Sequence, residues 1–109
     1  MGGGGEDSGT WGRLWISEFS LLNHYRDHRS NTGARSPDHY RRMARNLARS
    51  NERGIHQFVR LENLSTYRYN SRTNQLVIVS SNGRLVTYYH PRTGRQYWEG
   101  LRRRYGIPE

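Results

Sequence analysis

The sequence predicts an α+β fold, with two N-terminal helices packed on one face of a twisted antiparallel sheet of four to five strands. Three observations carry that reading. Apolar residues recur at helical spacing up to about residue 48, short β-rich runs follow from residue 55, and Asn82-Gly83 separates two of those runs as a tight hairpin. The 109 residues are the length of one domain with a modest core. Residues 1–10 open on Met1 and a run of glycines and read as a flexible linker, native or added, which leaves 11–109 as the folded part.

The first helix is expected to start at Trp11, because Trp11, Trp15, Phe19 and Leu22 recur at helical spacing. It runs to about His28 and carries His24 and His28 one turn apart on one face. The second helix has a stronger start. Ser36 is its N-cap, Pro37 takes the first helical position, and Asp38 sits at the positive end of the dipole. Its core stripe is Tyr40, Met43, Ala44, Leu47 and Ala48, and Asn51 to Gly54 ends it. Strands are expected over Ile55–Arg60, Ser65–Tyr69, Leu76–Ser80 and Arg84–His90, with a short fifth at Arg95–Trp98. Leu101 to Tyr105 reads as a basic tail or short helix.

The chain has 18 basic and 9 acidic residues, a net charge of +9 with His neutral, and every basic residue is arginine. A GC-rich gene would favour arginine over lysine without a functional cause, but the physical consequence is the same. Guanidinium binds phosphate through two parallel hydrogen bonds, stacks on bases and stays charged. A polyanion, RNA foremost, is therefore the expected partner, and an acidic protein would also suit the charge. The lack of cysteine excludes disulfides and thiolate metal sites. No apolar run approaches membrane-spanning length, and the opening residues lack the basic start and apolar stretch of a signal peptide. Gly-rich phosphate loops, nucleophile elbows, zinc-ligand spacings and paired-carboxylate motifs are absent too.

Two segments can carry chemistry. In His24-Tyr25-Arg26-Asp27-His28, two imidazoles share a helix face. Cleavage of RNA by its own 2′-hydroxyl needs a base for that proton and an acid for the departing 5′-oxygen, and histidines near neutrality suit both tasks. The same pair can also sit on a solvated face or bind a divalent metal. In Arg84-Leu85-Val86-Thr87-Tyr88-Tyr89-His90-Pro91, alternation puts Leu85, Thr87 and Tyr89 on one face and Arg84, Val86, Tyr88 and His90 on the other. A hydroxyl beside a phenol can hold a phosphate and stack a base, though Thr and Tyr also make an ordinary strand. Arg41, Arg42, Arg45 and Arg49 lie off the apolar stripe of the second helix, as a phosphate-binding or merely solvated face. Arg102, Arg103 and Arg104 beside Tyr105 are similarly open to both readings.

Taken together, these segments resemble the C-terminal nuclease domains of bacterial polymorphic toxins, including those of contact-dependent growth inhibition, in the barnase–EndoU–colicin–RelE-like ribonuclease group. The family pattern opens with His-aromatic-x-Lys-His-Gly, matched by His24-Tyr25-Arg26-Asp27-His28. A Gly-Ala-Lys-Thr-Pro-Glu-Glu-Tyr-like stretch follows, matched by Gly33-Ala34-Arg35-Ser36-Pro37-Asp38-His39-Tyr40. Tyr69-Asn70, Thr73-Asn74 and Leu76–Val79 stand at its Tyr-Asp, turn and Val-rich strand. Asn82 to Pro91 closes the match, which covers about Leu21 to Pro91. Asp27 stands where the family has Lys, Arg29 where it has Gly after the second His, and Asn74 where it has a turn Gly.

The resemblance implies a metal-independent endoribonuclease toxin without cofactor, secreted as the C-terminal part of a larger effector and acting in the cytoplasm of a target cell. It implies tRNA as substrate and an acidic cognate immunity protein as partner, with the domain itself a monomer when free. His24 and His28 are then the acid–base pair. Thr87 holds a phosphate oxygen, Tyr89 positions phosphate or base, and Arg84 offsets charge on the phosphoryl oxygens. Arg26, Arg29, Arg41, Arg45, Tyr88 and His90 are the expected RNA contacts. Two other readings remain: a basic RNA-binding module without catalysis, and a metal-dependent DNase built on the histidine pair.

Overall fold

The computed structural model describes residues 9–106, so residues 1–8 of the expected linker lie outside the described residues. Helices α1 (Glu18–Thr32) and α2 (Pro37–Ala48) come first. Strands β1 (Ile55–Arg60), β2 (Ser65–Asn70), β3 (Gln75–Val79) and β4 (Leu85–Tyr89) follow, and helix α3 (Arg95–Tyr105) closes the chain. The strands form one antiparallel meander in sequence order. This is the predicted α+β fold with four strands, and the N-terminal helices pack against the sheet. The helices are not all N-terminal, however. Residues 95–98, expected as a fifth strand, open α3, whose first turn hangs on the Gly94 carbonyl through the amides of Tyr97 and Trp98. No helix of the described residues is long and apolar enough to cross a membrane.

The start of α1 differs from expectation. Ser17 caps it by accepting from the Ser20 amide at 3.0 Å, so the helix begins seven residues after Trp11. The segment before it runs beside the sheet instead. Leu14 and Ile16 exchange backbone hydrogen bonds with Leu85 at 2.7 and 2.9 Å, and Trp15 makes a parallel bridge there. The Trp11–Trp15 spacing is thus not helical at all. Phe19 is 77% exposed and Leu22 50%, so the apolar stripe read from the sequence faces outward. The inner face holds Leu21, His24, Tyr25, His28 and Thr32, an i, i+3, i+4, i+7, i+11 series that is largely polar and so escapes a hydrophobicity pattern. Gly33, at φ 76, ends the helix in the left-handed region, which its missing side chain permits.

Helix α2 follows its signals. Ser36 accepts from the His39 amide at 3.0 Å, and Tyr40, Ala44, Leu47 and Ala48 are buried. Its C-terminal carbonyls have a partner the sequence does not announce. Arg68 of β2, buried, donates to the carbonyls of Ala48 and Ser50. The final carbonyl of the helix is thereby satisfied from the sheet.

The sheet buries both faces. Val77, Val79, Leu85 and Tyr88 pack with α2 and Trp15, whereas Phe58, Tyr67, Tyr69 and Leu76 pack with Trp98, Leu101 and Tyr105 of α3. Alternation along β2 and β3 separates these two sets. In β4 an irregularity opposite Ile78 and Val79 resets it. Leu85 pairs with Val79 on the α2 side, while Thr87 and Tyr89 pair with Ile78 and Leu76. Leu85, Thr87 and Tyr89 therefore do not share a face as simple alternation predicts.

The Tyr40 hydroxyl donates to the Tyr88 carbonyl inside the core, and Tyr40 has no exposed surface. Tyr40→Phe is expected to lower the unfolding free energy by about 1–2 kcal/mol through the lost buried bond. Phe19→Ala is expected to change it by under about 0.5 kcal/mol despite the larger apolar truncation. Urea denaturation of both variants checks the assignment of inner and outer residues, and equal losses would refute it.

Candidate functional site

Helix α1 meets the sheet mainly at its last strand. One helical turn advances about 5.4 Å, and alternate residues of a strand lie about 6.8 Å apart. Two histidines one turn apart can therefore face two alternate residues of β4. The Thr87 hydroxyl lies 3.1 Å from His24 Nδ1. The His28 ring stacks on Tyr89 at 5.2 Å and 22°. The two imidazoles stack on each other at 5.9 Å and 19°, and Trp15 tilts against His24 at 5.6 Å. Tyr97 of α3 completes the row, edge-on to Tyr89 at 6.1 Å with the two hydroxyls 2.6 Å apart.

Asn31 holds the arrangement in register. Its side-chain amide donates to the His90 carbonyl at 3.0 Å and accepts from the His90 amide at 2.7 Å, as a neighbouring strand would. Beside this clasp opens a cleft of about 510 Å³. His28, Tyr89 and Tyr97 wall it, Asp27 stands on the α1 side, and Arg92 and Thr93 border it from the turn after β4.

Burial lowers the pKa of His24, and the Asp27 carboxylate opposes that shift. His28 is lowered first by burial and then by charge on His24, again opposed by Asp27. The pair thus resists being charged together. One neutral and one protonated imidazole, side by side, is the arrangement that separates a base from an acid. Burial also lowers His90. The Tyr89 phenol is pushed up by burial and by its bond to Tyr97, so it acts as a neutral hydrogen-bonding group. Among the described residues no three His, Cys, Asp or Glu side chains gather as a metal site requires.

The structure brings His24, His28, Thr87 and Tyr89 together, keeps His90 at the cleft beside them, and places the other expected residues elsewhere. Thr87 is buried with its hydroxyl engaged by His24, so it positions an imidazole rather than a phosphate. Tyr88, expected at the RNA surface, has no exposed area and packs edge-on against Tyr40, which makes it a core residue. His90 borders the cleft half-buried, its backbone held by Asn31. Arg84 is exposed in the β3–β4 turn, at the end of β4 opposite Tyr89, and does not wall the cleft. Arg26 is exposed next to Asp27, and the Arg29 guanidinium lies 5.9 Å over the Tyr25 ring. Arg41 and Arg42 both pair with Asp38 at 2.6 and 3.0 Å, and Arg45 is half-buried on α2.

Sequence reasoning missed Trp15 as a ring neighbour of His24, and it missed Asn31, Arg92 and Tyr97. Local pattern points to a helix at Trp15 and a strand at Tyr97, the reverse of what forms, and no local signal marks an asparagine that binds backbone 59 residues away. Compared with protein-family models and with curated proteins, the chain matches none.

The lowered histidines make an acid-side prediction. A histidine whose folded pKa lies below 6.5 binds fewer protons folded than unfolded, so its stability is full above 6.5 and declines as pH falls toward the folded value. Proton NMR titration is expected to place His24 and His28 below 6.5, with Asp27→Asn moving both further down. Titration at or above 6.5 would show that the rings are not shielded as described.

Proposed function

We propose that this domain is an endoribonuclease that cleaves RNA by attack of the 2′-oxygen on the adjacent phosphorus. The observation that carries the reading is the stacked His24–His28 pair, held 5.9 Å apart beside an aromatic cleft in a chain of charge +9. That spacing suits two groups serving two oxygens of one phosphodiester. His28, on the cleft wall, takes the 2′-hydroxyl proton, and His24, steadied by Thr87, gives a proton to the 5′-oxygen. The P–O5′ bond breaks and a 2′,3′-cyclic phosphate remains. Base and acid both come from the chain, so the reaction proceeds without metal.

Arg92 takes over the charge-offsetting part expected of Arg84, because it borders the cleft. Tyr89 and Tyr97 hold the substrate through their rings and hydroxyls. Arg26, Arg29 and Arg45 attract the RNA more diffusely. The resemblance to polymorphic-toxin nucleases favours tRNA as substrate, an acidic immunity protein as the neutralising partner, and action in a target cell's cytoplasm after delivery on a larger effector.

Incubation with total tRNA in EDTA tests this. Discrete fragments ending in cyclic phosphate are expected, and His24→Ala and His28→Ala should each lower the cleavage rate by about 10²–10⁴. Variants that cut like the parent would remove the histidines from the mechanism. Retarded but intact tRNA would favour the RNA-binding module. Activity lost in EDTA together with plasmid cleavage would favour the metal-dependent DNase.

The pH profile gives a separate check. The base must be neutral and the acid protonated, so kcat/KM follows a bell between their two pKa values. With both histidines lowered, its maximum is expected below pH 6.5. A maximum above pH 7 would contradict this acid–base pair.

A further inference from the structure

One charged group in the cleft makes and breaks no bond in the cleavage chemistry. Asp27 stands on its wall in a chain with 18 arginines and 9 acidic residues. Its side chain is 59% exposed, and among the described residues its ionic partner is Arg26, 3.4 Å from Oδ1 and itself 71% exposed. A contact so long and so solvated leaves both carboxylate oxygens available as acceptors. A phosphate would be repelled there, whereas a base edge with two adjacent N–H donors would be held.

The other walls suit the faces of a base. His28 and Tyr89 stack on each other and so cover those faces, but Tyr97, edge-on to Tyr89 and 36% exposed, brings an aromatic surface to the cleft, and such a surface accepts any base. Selectivity must then come from the polar rim. An ionised carboxylate only accepts hydrogen bonds. Guanine presents N1–H and N2–H side by side on its Watson–Crick edge. Adenine and cytosine present a donor beside an acceptor, and uracil a donor between two acceptors. Asn31, one turn along the helix, has the mixed donor and acceptor that adenine or cytosine would need, but its oxygen and one of its two N–H groups are engaged by the His90 backbone, which holds the amide along the strand.

The geometry points to a guanine-reading subsite, in which the base lies against the aromatic wall and Asp27 accepts from N1–H and N2–H. This rests on the ribonuclease reading and adds its base specificity. Asp27 acts here as a specificity residue and takes no part in bond making or breaking.

Binding of the four nucleoside 3′-monophosphates to the full chain, followed by calorimetry or NMR, tests the subsite without any cleavage. The guanine nucleotide is expected to bind about tenfold or more tightly than the other three, and Asp27→Asn should abolish that preference while the thermal melt stays unchanged. In a second arm, random-sequence single-stranded RNA is cut and its ends sequenced. Cuts should cluster beside guanine, and Asp27→Asn should cut without that bias. The ratio compares bases within one enzyme, so any effect of the substitution on histidine protonation cancels. Equal binding of all four nucleotides, unbiased cutting by the parent, or a guanine preference that survives Asp27→Asn overturns the subsite. Intact RNA alongside a guanine preference in binding overturns the ribonuclease reading and leaves the subsite standing.

Discussion

The outer edge of β4 is the constraint on which the site depends. A strand at the end of a sheet leaves backbone groups unpaired, and those groups must find partners. Here the two ends of the strand find them in different places. Leu85 pairs with Leu14 and Ile16, and His90 pairs with the Asn31 side chain. Between the two clasps α1 has little freedom to slide or turn. Its inner face must lie along β4, so His24 meets Thr87 and His28 meets Tyr89. The geometry of the imidazole pair is a by-product of closing a sheet edge.

The arginines divide by the same logic of unsatisfied groups. Arg68 caps the end of α2 from inside the sheet, Arg49 donates to the Trp11 carbonyl at 2.7 Å, and Arg60 lies 3.8 Å over the Tyr105 ring while bonding the Tyr67 hydroxyl. Planar guanidinium groups with several donors suit such positions, where they serve carbonyls and aromatic faces together. These guanidinium groups keep their charge and so still add to the field that draws a polyanion, but their donors are engaged within the fold. Arg92 differs because it borders the cleft from a turn rather than from a helix face.

Much of the fold is legible in local chemistry. The Ser36-Pro37-Asp38 start, the stripe of α2, the strand runs and the Asn82-Gly83 hairpin all act over a few residues, and the structure follows them. What sequence reading misses is non-local. Trp15 has helical spacing yet runs along the sheet, because Leu85 offers its neighbours backbone partners. Phe19 and Leu22 look like core and are exposed, because the contact of α1 is with a row of rings and hydroxyls. Arg95–Trp98 is short and aromatic enough to read as a strand, but Trp98 is buried only as part of a helix over the second face. In the candidate site the histidine spacing is visible in sequence, while the functions of Thr87, Asn31 and Tyr97 depend on partners far along the chain.

That distance has a consequence for when the site exists. His24 and Thr87 are 63 residues apart, and Asn31 and His90 are 59 apart. Contacts of such range form late, after the loop between them has closed. A chain growing from its N-terminus carries both histidines long before it carries β4. Until residue 90 has emerged, His24 lacks Thr87, His28 lacks Tyr89 and α1 has no edge to follow. A chain cut short before β4 would keep both imidazoles and assemble nothing from them.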